Sequence, residues 1–104
     1  MIEKIDILGV TYAISLVPAI SREKYTIGQC DYANQSIDLD MAPPPDLMGA
    51  TLFHEVLHAV LEGVGEDCVN SDEGSVQRIA RGLYQALKPY VDFSGKEKRL
   101  TAKR

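Results

Sequence analysis

Pro43-Pro44-Pro45-Asp46-Leu47-Met48-Gly49-Ala50-Thr51-Leu52-Phe53-His54-Glu55-Val56-Leu57-His58-Ala59-Val60-Leu61-Glu62-Gly63 divides the chain into two kinds of pattern. Three consecutive prolines end any strand before them, because each fixes φ near −65° and lacks an amide donor. Proline is favoured at a first helical position, and Asp46 beside it complements the positive end of a helix dipole. From Asp46 to about Glu62 the apolar residues Leu47, Leu52, Phe53, Val56, Leu57, Val60 and Leu61 cover most of a helical circumference, which predicts a central, largely buried helix. Gly63 and Gly65 are expected to stop it.

Upstream of the prolines the pattern changes period. Ile2 to Val17 is β-branched and alternating, with Gly9 in the middle, which predicts a hairpin of two short strands. Tyr25–Tyr32 and Gln35–Met41 flank Ala33-Asn34 and read as a second hairpin, and Ser36 to Met41 alternates polar with apolar as a half-buried strand does. Downstream, Val76, Ile79, Ala80, Leu83 and Leu87 recur at spacings of three and four, predicting an amphipathic helix from about Ser71 to Lys88 that Pro89 ends. Strands first and helices second is an α+β layout: a small antiparallel N-terminal sheet of about four strands packed on two helices.

The 104 residues suffice for one modest core. With 45% apolar and 25% charged residues, the composition is that of an ordinary globular domain. The start, Met1-Ile2-Glu3-Lys4-Ile5-Asp6, lacks the pattern of an export signal, so a cytoplasmic location is expected. The longest apolar-rich stretch, Leu47 to Val64, is interrupted by His54, Glu55, His58 and Glu62, which excludes a membrane span there. Cys30 and Cys68 are too few for a disulfide framework and read as reduced, buried residues. The net charge of −4 is unevenly spread: residues 1–93 hold 6 basic and 14 acidic side chains, residues 94–104 hold 5 basic and 1 acidic. An acidic body argues against nucleic acid as a partner. Lys96, Lys98, Arg99, Lys103 and Arg104 are expected to form a flexible basic tail on a domain spanning 1–93.

His54-Glu55-Val56-Leu57-His58 is the segment that carries chemistry. Two imidazoles one helical turn apart on the same face can grip one zinc ion. Glu55, rotated about 100° from His54 on a 3.6-residue helix, can lie beside that metal and reach an attacking water. The chain has only 2 histidines. Two placed at random fall four apart roughly 2% of the time, and requiring an acid immediately after the first lowers that to roughly 0.3%. Burying two imidazoles and a carboxylate without partners would also cost desolvation energy.

A catalytic zinc takes three protein ligands and keeps an open position. The extended motif with a third histidine would need glycine and histidine where Leu61 and Val64 stand, so that arrangement is excluded. Glu73 is the leading third ligand, because it precedes Val76, Ala80 and Leu83 on the apolar face of the second helix. Asp72, Asp67, Glu62 and Cys68 are the alternatives. In a purely structural role, Glu73 would instead pair with Asn70 as a helix cap.

Thr51-Leu52-Phe53-His54-Glu55-Val56-Leu57-His58-Ala59-Val60 and Glu73-Gly74-Ser75-Val76-Gln77-Arg78-Ile79-Ala80-Arg81-Gly82-Leu83-Tyr84-Gln85-Ala86-Leu87 resemble gluzincin-type metallopeptidases. The likeness is closer to the small phage- or prophage-encoded ImmA/IrrE-like metallopeptidases, and Gly28 to Tyr32 is similar to that family's Gly-x-x-x-Tyr start. The resemblance spans about two-thirds of the chain. It implies a minimal zincin-like domain, with His54, His58 and Glu73 as zinc ligands and Glu55 as general base. The implied partner is a peptide or protein substrate, hydrolysed by water whose proton Glu55 accepts. Ser36 to Met41 is the expected edge strand on which an extended peptide could pair, with Asp38 and Asp40 sharing one face. The rival expectation is a non-catalytic, zinc-stapled phage accessory module that binds a partner protein.

Overall fold

The structure is a computed structural model that describes residues 3–18 and 27–91. It is an α+β arrangement in which four strands precede the helices: β1 (Lys4–Ile7), β2 (Val10–Val17), β3 (Gly28–Asp31) and β4 (Ser36–Asp40), then α1 (Pro45–Val64), α2 (Asp67–Asn70) and α3 (Glu73–Leu87). A short 3-10 turn, Lys88–Tyr90, closes the described chain around Pro89. The start of the expected second hairpin at Tyr25 and the basic tail 94–104 lie outside the described residues.

β1 and β2 meet antiparallel through Leu8 and Gly9, both at positive φ (51° and 84°). That backbone matches the right-handed twist of the strands it joins, and Gly9 adopts it without steric cost. β3 and β4 form the second antiparallel hairpin, around residues 32–35, where Asp31 Oδ1 accepts from the Asn34 amide at 3.0 Å.

The two hairpins join in an unexpected way. The sheet order is β1-β2-β4-β3, and β2 runs parallel to β4, with Ile14 beside Ile37 and Leu16 beside Leu39. The sheet is therefore mixed, where an antiparallel one was expected, and Ser36–Asp40 is an interior strand where an edge was expected. Alternation along β4 reveals one apolar face but says nothing about its neighbours. Placed between two strands, β4 satisfies backbone groups on both sides and buries Ile37 and Leu39 completely. β3 becomes the open edge among the described residues. Asp38 and Asp40 lie outside the cleft described below; Asp40 Oδ1 instead accepts from the Ala42 amide at 2.9 Å.

α1 begins after Pro44 with Pro45 at its first turn and ends at Gly65, whose φ of 78° provides the left-handed stop. Gly63 lies within the helix. A Cβ there would stand 2.7 Å from Leu8 Cδ1, so this glycine makes room for the β1–β2 turn. Leu52 and Ala59 of α1 pack with Ile7, Tyr12, Ile14, Ile37 and Leu39 in one cluster, supplemented by Met48, Val56 and Val60. On its other side α1 meets α3, which buries Val76 and Ala80. Phe53 stands edge-on to Tyr84 at 5.8 Å, and Lys88 Nζ pairs with Asp46 at 2.9 Å. Cys30 and Cys68 are both free thiols. Cys30 is half-buried, but Cys68 is exposed, against the expectation that both would be buried, because the short α2 leaves none of its residues buried. Among the described residues no helix is long and apolar enough to cross a membrane.

Candidate metal centre

α1 and α3 run side by side in opposite directions, so His54 and His58, one turn apart on α1, face the first residue of α3. Glu73 Oε1 lies 2.9 Å from His54 Nε2 and Glu73 Oε2 lies 3.1 Å from His58 Nε2. Among the described residues, the metal-ligating atoms that gather within 4.8 Å of one another are those of His54, His58 and Glu73. Asp72, Asp67, Glu62 and Cys68 stand outside that group. Asp72 is instead the cap of α3, accepting from Ser75 N at 3.3 Å and Ser75 Oγ at 2.9 Å. The cap leaves Glu73 free to reach across to α1.

The far nitrogen of each imidazole is also held. Gln77 Oε1 lies 2.7 Å from His54 Nδ1, and Asn70 Oδ1 lies 2.6 Å from His58 Nδ1. The Tyr32 hydroxyl donates to the His58 carbonyl at 3.4 Å and accepts from Asn70 Nδ2 at 3.1 Å, which orients the Asn70 amide oxygen toward the ring. A neutral imidazole carries one N–H. In the tautomer that donates each Nδ1–H to its amide oxygen, both Nε2 lone pairs point at a carboxylate that can only accept. The donor set is thus short of positive charge where the three side chains converge, and a cation among them would resolve it. The group can hold a metal ion on the chemistry of its own atoms.

Glu55 occupies the same turn but faces the sheet side. It is only 7% exposed, and no hydrogen bond or ion pair holds its carboxylate among the described residues. Burial pushes its pKa up, partly opposed by the neighbouring histidines, while the Glu73 carboxylate adds to the rise. It stands over β3 at Gly28, where a Cβ would lie 2.5 Å from Thr51 Cγ2 and 3.1 Å from Glu55 Oε2. Only glycine lets the edge strand approach α1 this closely.

Gly28, His54, Glu55, His58, Glu73 and Gln77 line one open cleft of about 460 Å³ between β3, α1 and α3. Tyr32 and His58 lie at one end and Ile27, Leu47 and Arg81 at the other. The Asp40 amide donates to the Ile27 carbonyl at 2.9 Å. By antiparallel alternation, the backbone groups of Gly28 and Cys30 therefore point away from β4, toward the open edge. Neither Gln77 nor Asn70 had been identified as a site residue from the sequence. Gln77 follows Glu73 by four positions, a spacing that places it on the same helix face and could have revealed it. Asn70 had appeared only as a capping partner, because α2, which delivers it to His58, has no pattern of its own in four residues. No protein-family model matches the chain, and no match emerges among curated proteins or solved structures.

Proposed function

We propose that the chain is a zinc-dependent metallopeptidase that hydrolyses peptide bonds in a peptide or protein substrate. The observation carrying this reading is the convergence of two imidazoles and one carboxylate beside a buried Glu55 that has no hydrogen-bond partner among the described residues, in an open cleft. The sequence resemblance to gluzincin-type and ImmA/IrrE-like metallopeptidases supports it. A set of two nitrogens and one carboxylate oxygen suits zinc, with His54, His58 and Glu73 as ligands. When bound, zinc supplies Lewis acidity that makes water nucleophilic near neutral pH and stabilises negative charge on the scissile carbonyl oxygen.

The protein's own groups supply the rest. Gln77 and Asn70 fix the two rings so that Nε2 of each faces inward. Glu55 accepts the proton of the attacking water and passes it to the leaving amine; its raised pKa brings it closer to the working pH for both transfers. The outward backbone groups of Gly28 and Cys30 hold an extended peptide against the β3 edge.

A second reading, a zinc-stapled accessory module, draws on one observation. α3 leaves Ile79, Leu83 and Leu87 between 41% and 45% exposed, a stripe suited to a protein partner. Elemental mass spectrometry on untagged, chelator-free protein and proteolysis of an unfolded protein substrate separate the two. The peptidase reading expects about one zinc per chain and cleavage that falls about 10²- to 10⁴-fold in Glu55→Gln with zinc retained. Stoichiometric zinc without cleavage would favour the module, and a chain that takes up no zinc would end both.

A further inference from the structure

Glu73, Gln77 and Arg81 follow one another at intervals of four along α3, and all three line the cleft. Glu73 meets both histidines and Gln77 holds His54. Arg81 completes the stripe at the end occupied by Ile27, Leu47 and Ala50. It differs from the other described cations on the helices. Lys88 pairs with Asp46, and Arg78 donates to Ser75 Oγ beside Asp72. Arg81 has no hydrogen bond or ion pair among the described residues. Residues 1–93 hold 14 acidic side chains against 6 basic, so a guanidinium in the cleft with no partner among the described residues is conspicuous.

From this we infer that Arg81 forms a carboxylate-binding subsite of the cleft, on the side that receives the C-terminal half of a peptide. The orientation rests on the metallopeptidase reading; the carboxylate preference rests on Arg81 itself. The guanidinium presents paired donors matched to a carboxylate, and Ile27 and Leu47 line the same cleft. β3 runs from Gly28, beside Thr51 and Glu55, to the residue before Tyr32, beside His58. A peptide paired antiparallel to it, the more stable arrangement, enters at the Tyr32 end and places its later residues toward Arg81. Eight residues at 1.5 Å per residue separate Glu73 from Arg81 by about 12 Å along α3. An extended peptide covers that distance in about three to four residues, and the arginine arm shortens it, so the carboxylate lies about two to four residues after the scissile bond. An acidic side chain and a free C-terminus both supply such a group.

The test measures binding of fluorescein-labelled hexapeptides to the zinc-loaded Glu55→Gln protein, which removes the proposed base while leaving Arg81 in place. The peptides share an apolar sequence and differ only at the C-terminal end: Glu or Gln at the fifth position, each with a free or amidated terminus. A peptide bearing one carboxylate is expected to bind about 10- to 100-fold tighter than the uncharged amide. The Glu-amide and Gln-acid peptides show which source the subsite takes. Adding Arg81→Gln should abolish the difference at unchanged zinc content, and Arg81→Lys should restore only part of it, since lysine keeps the charge without the fork. Equal affinity for all four peptides, no binding of any of them, or discrimination that survives Arg81→Gln would overturn the subsite. Cleavage by the wild-type chain is scored separately: a carboxylate preference without cleavage would refute the peptidase reading and leave the subsite standing.

Discussion

Toward the sheet, α1 buries Leu52 and Ala59 among Ile14, Ile37 and Leu39; toward α3 the fully buried apolar residues are Val76 and Ala80, and much of the remaining contact is polar. His54 and His58 bridge the second interface through Glu73 and Gln77, and Asn70 joins it from α2. The first interface gains from apolar surface removed from water, a non-directional effect that tolerates most solvent conditions. The second depends on how two imidazoles and a carboxylate share protons or a cation. One helix thus divides the labour: its sheet face supplies stability, and its α3 face supplies the site at the expense of a denser core.

The largest effect should come from truncating each interface in turn. Leu39→Ala removes a fully buried side chain from the sheet half and is expected to cost about 2–5 kcal/mol in urea unfolding, with zinc affinity of the folded fraction unchanged. Val76→Ala is expected to cost less, about 1–3 kcal/mol, and to weaken zinc in a chelator competition, because Glu73 rides on the helix it loosens. If Leu39→Ala weakened zinc as much as Val76→Ala, the two halves would not be separable.

A smaller effect sharpens the contrast at Glu55. Its carboxyl is buried with a pKa raised above the unfolded value, so the folded state binds the proton more tightly and loses stability as pH rises through the window between the two values. In chelator, Glu55→Gln should therefore melt above the wild type at pH 7. The gain should disappear below about pH 4, where the carboxyl is protonated folded or unfolded. A lower melting temperature for Glu55→Gln at neutral pH would mean that the charge contributes to the fold.

The smallest effect leaves stability untouched. Burial, aided by Glu55, pushes the Cys30 thiol up to about 12, so at pH 8 about one molecule in ten thousand carries the reactive thiolate. Cys68 is exposed on α2. Iodoacetamide followed by intact mass should add one adduct quickly at Cys68 and a second only on unfolding; equal rates at both would show β3 to be looser than its packing suggests.

The site was partly legible in the sequence, because two of its features are local. A separation of four residues puts His54 and His58 on one helical face regardless of the rest of the fold, and the apolar spacing of Val76 and Ala80 turns Glu73 toward α1. Gln77 obeys the same rule, and Asn70 does not, because α2 is too short to carry a periodic signal. The sheet was less legible. Each hairpin followed from alternation and turn residues, yet the parallel pairing of β2 with β4 links segments separated by β3 and is invisible to any local pattern.

Elements and their apolar faces were determined by the sequence alone: a polyproline stop, a helix of 3.6-residue period carrying two histidines, and strands of period two before it. Which strand forms the edge was decided only by tertiary packing. Inserting β4 between β2 and β3 buries Ile37 and Leu39 and pairs backbone groups on both sides, where the local pattern suggested only an antiparallel sheet. As a consequence β3, with Gly28 beneath Glu55, forms the wall of the cleft. Fold class is a sum of local preferences, whereas the cleft exists only where three distant segments meet.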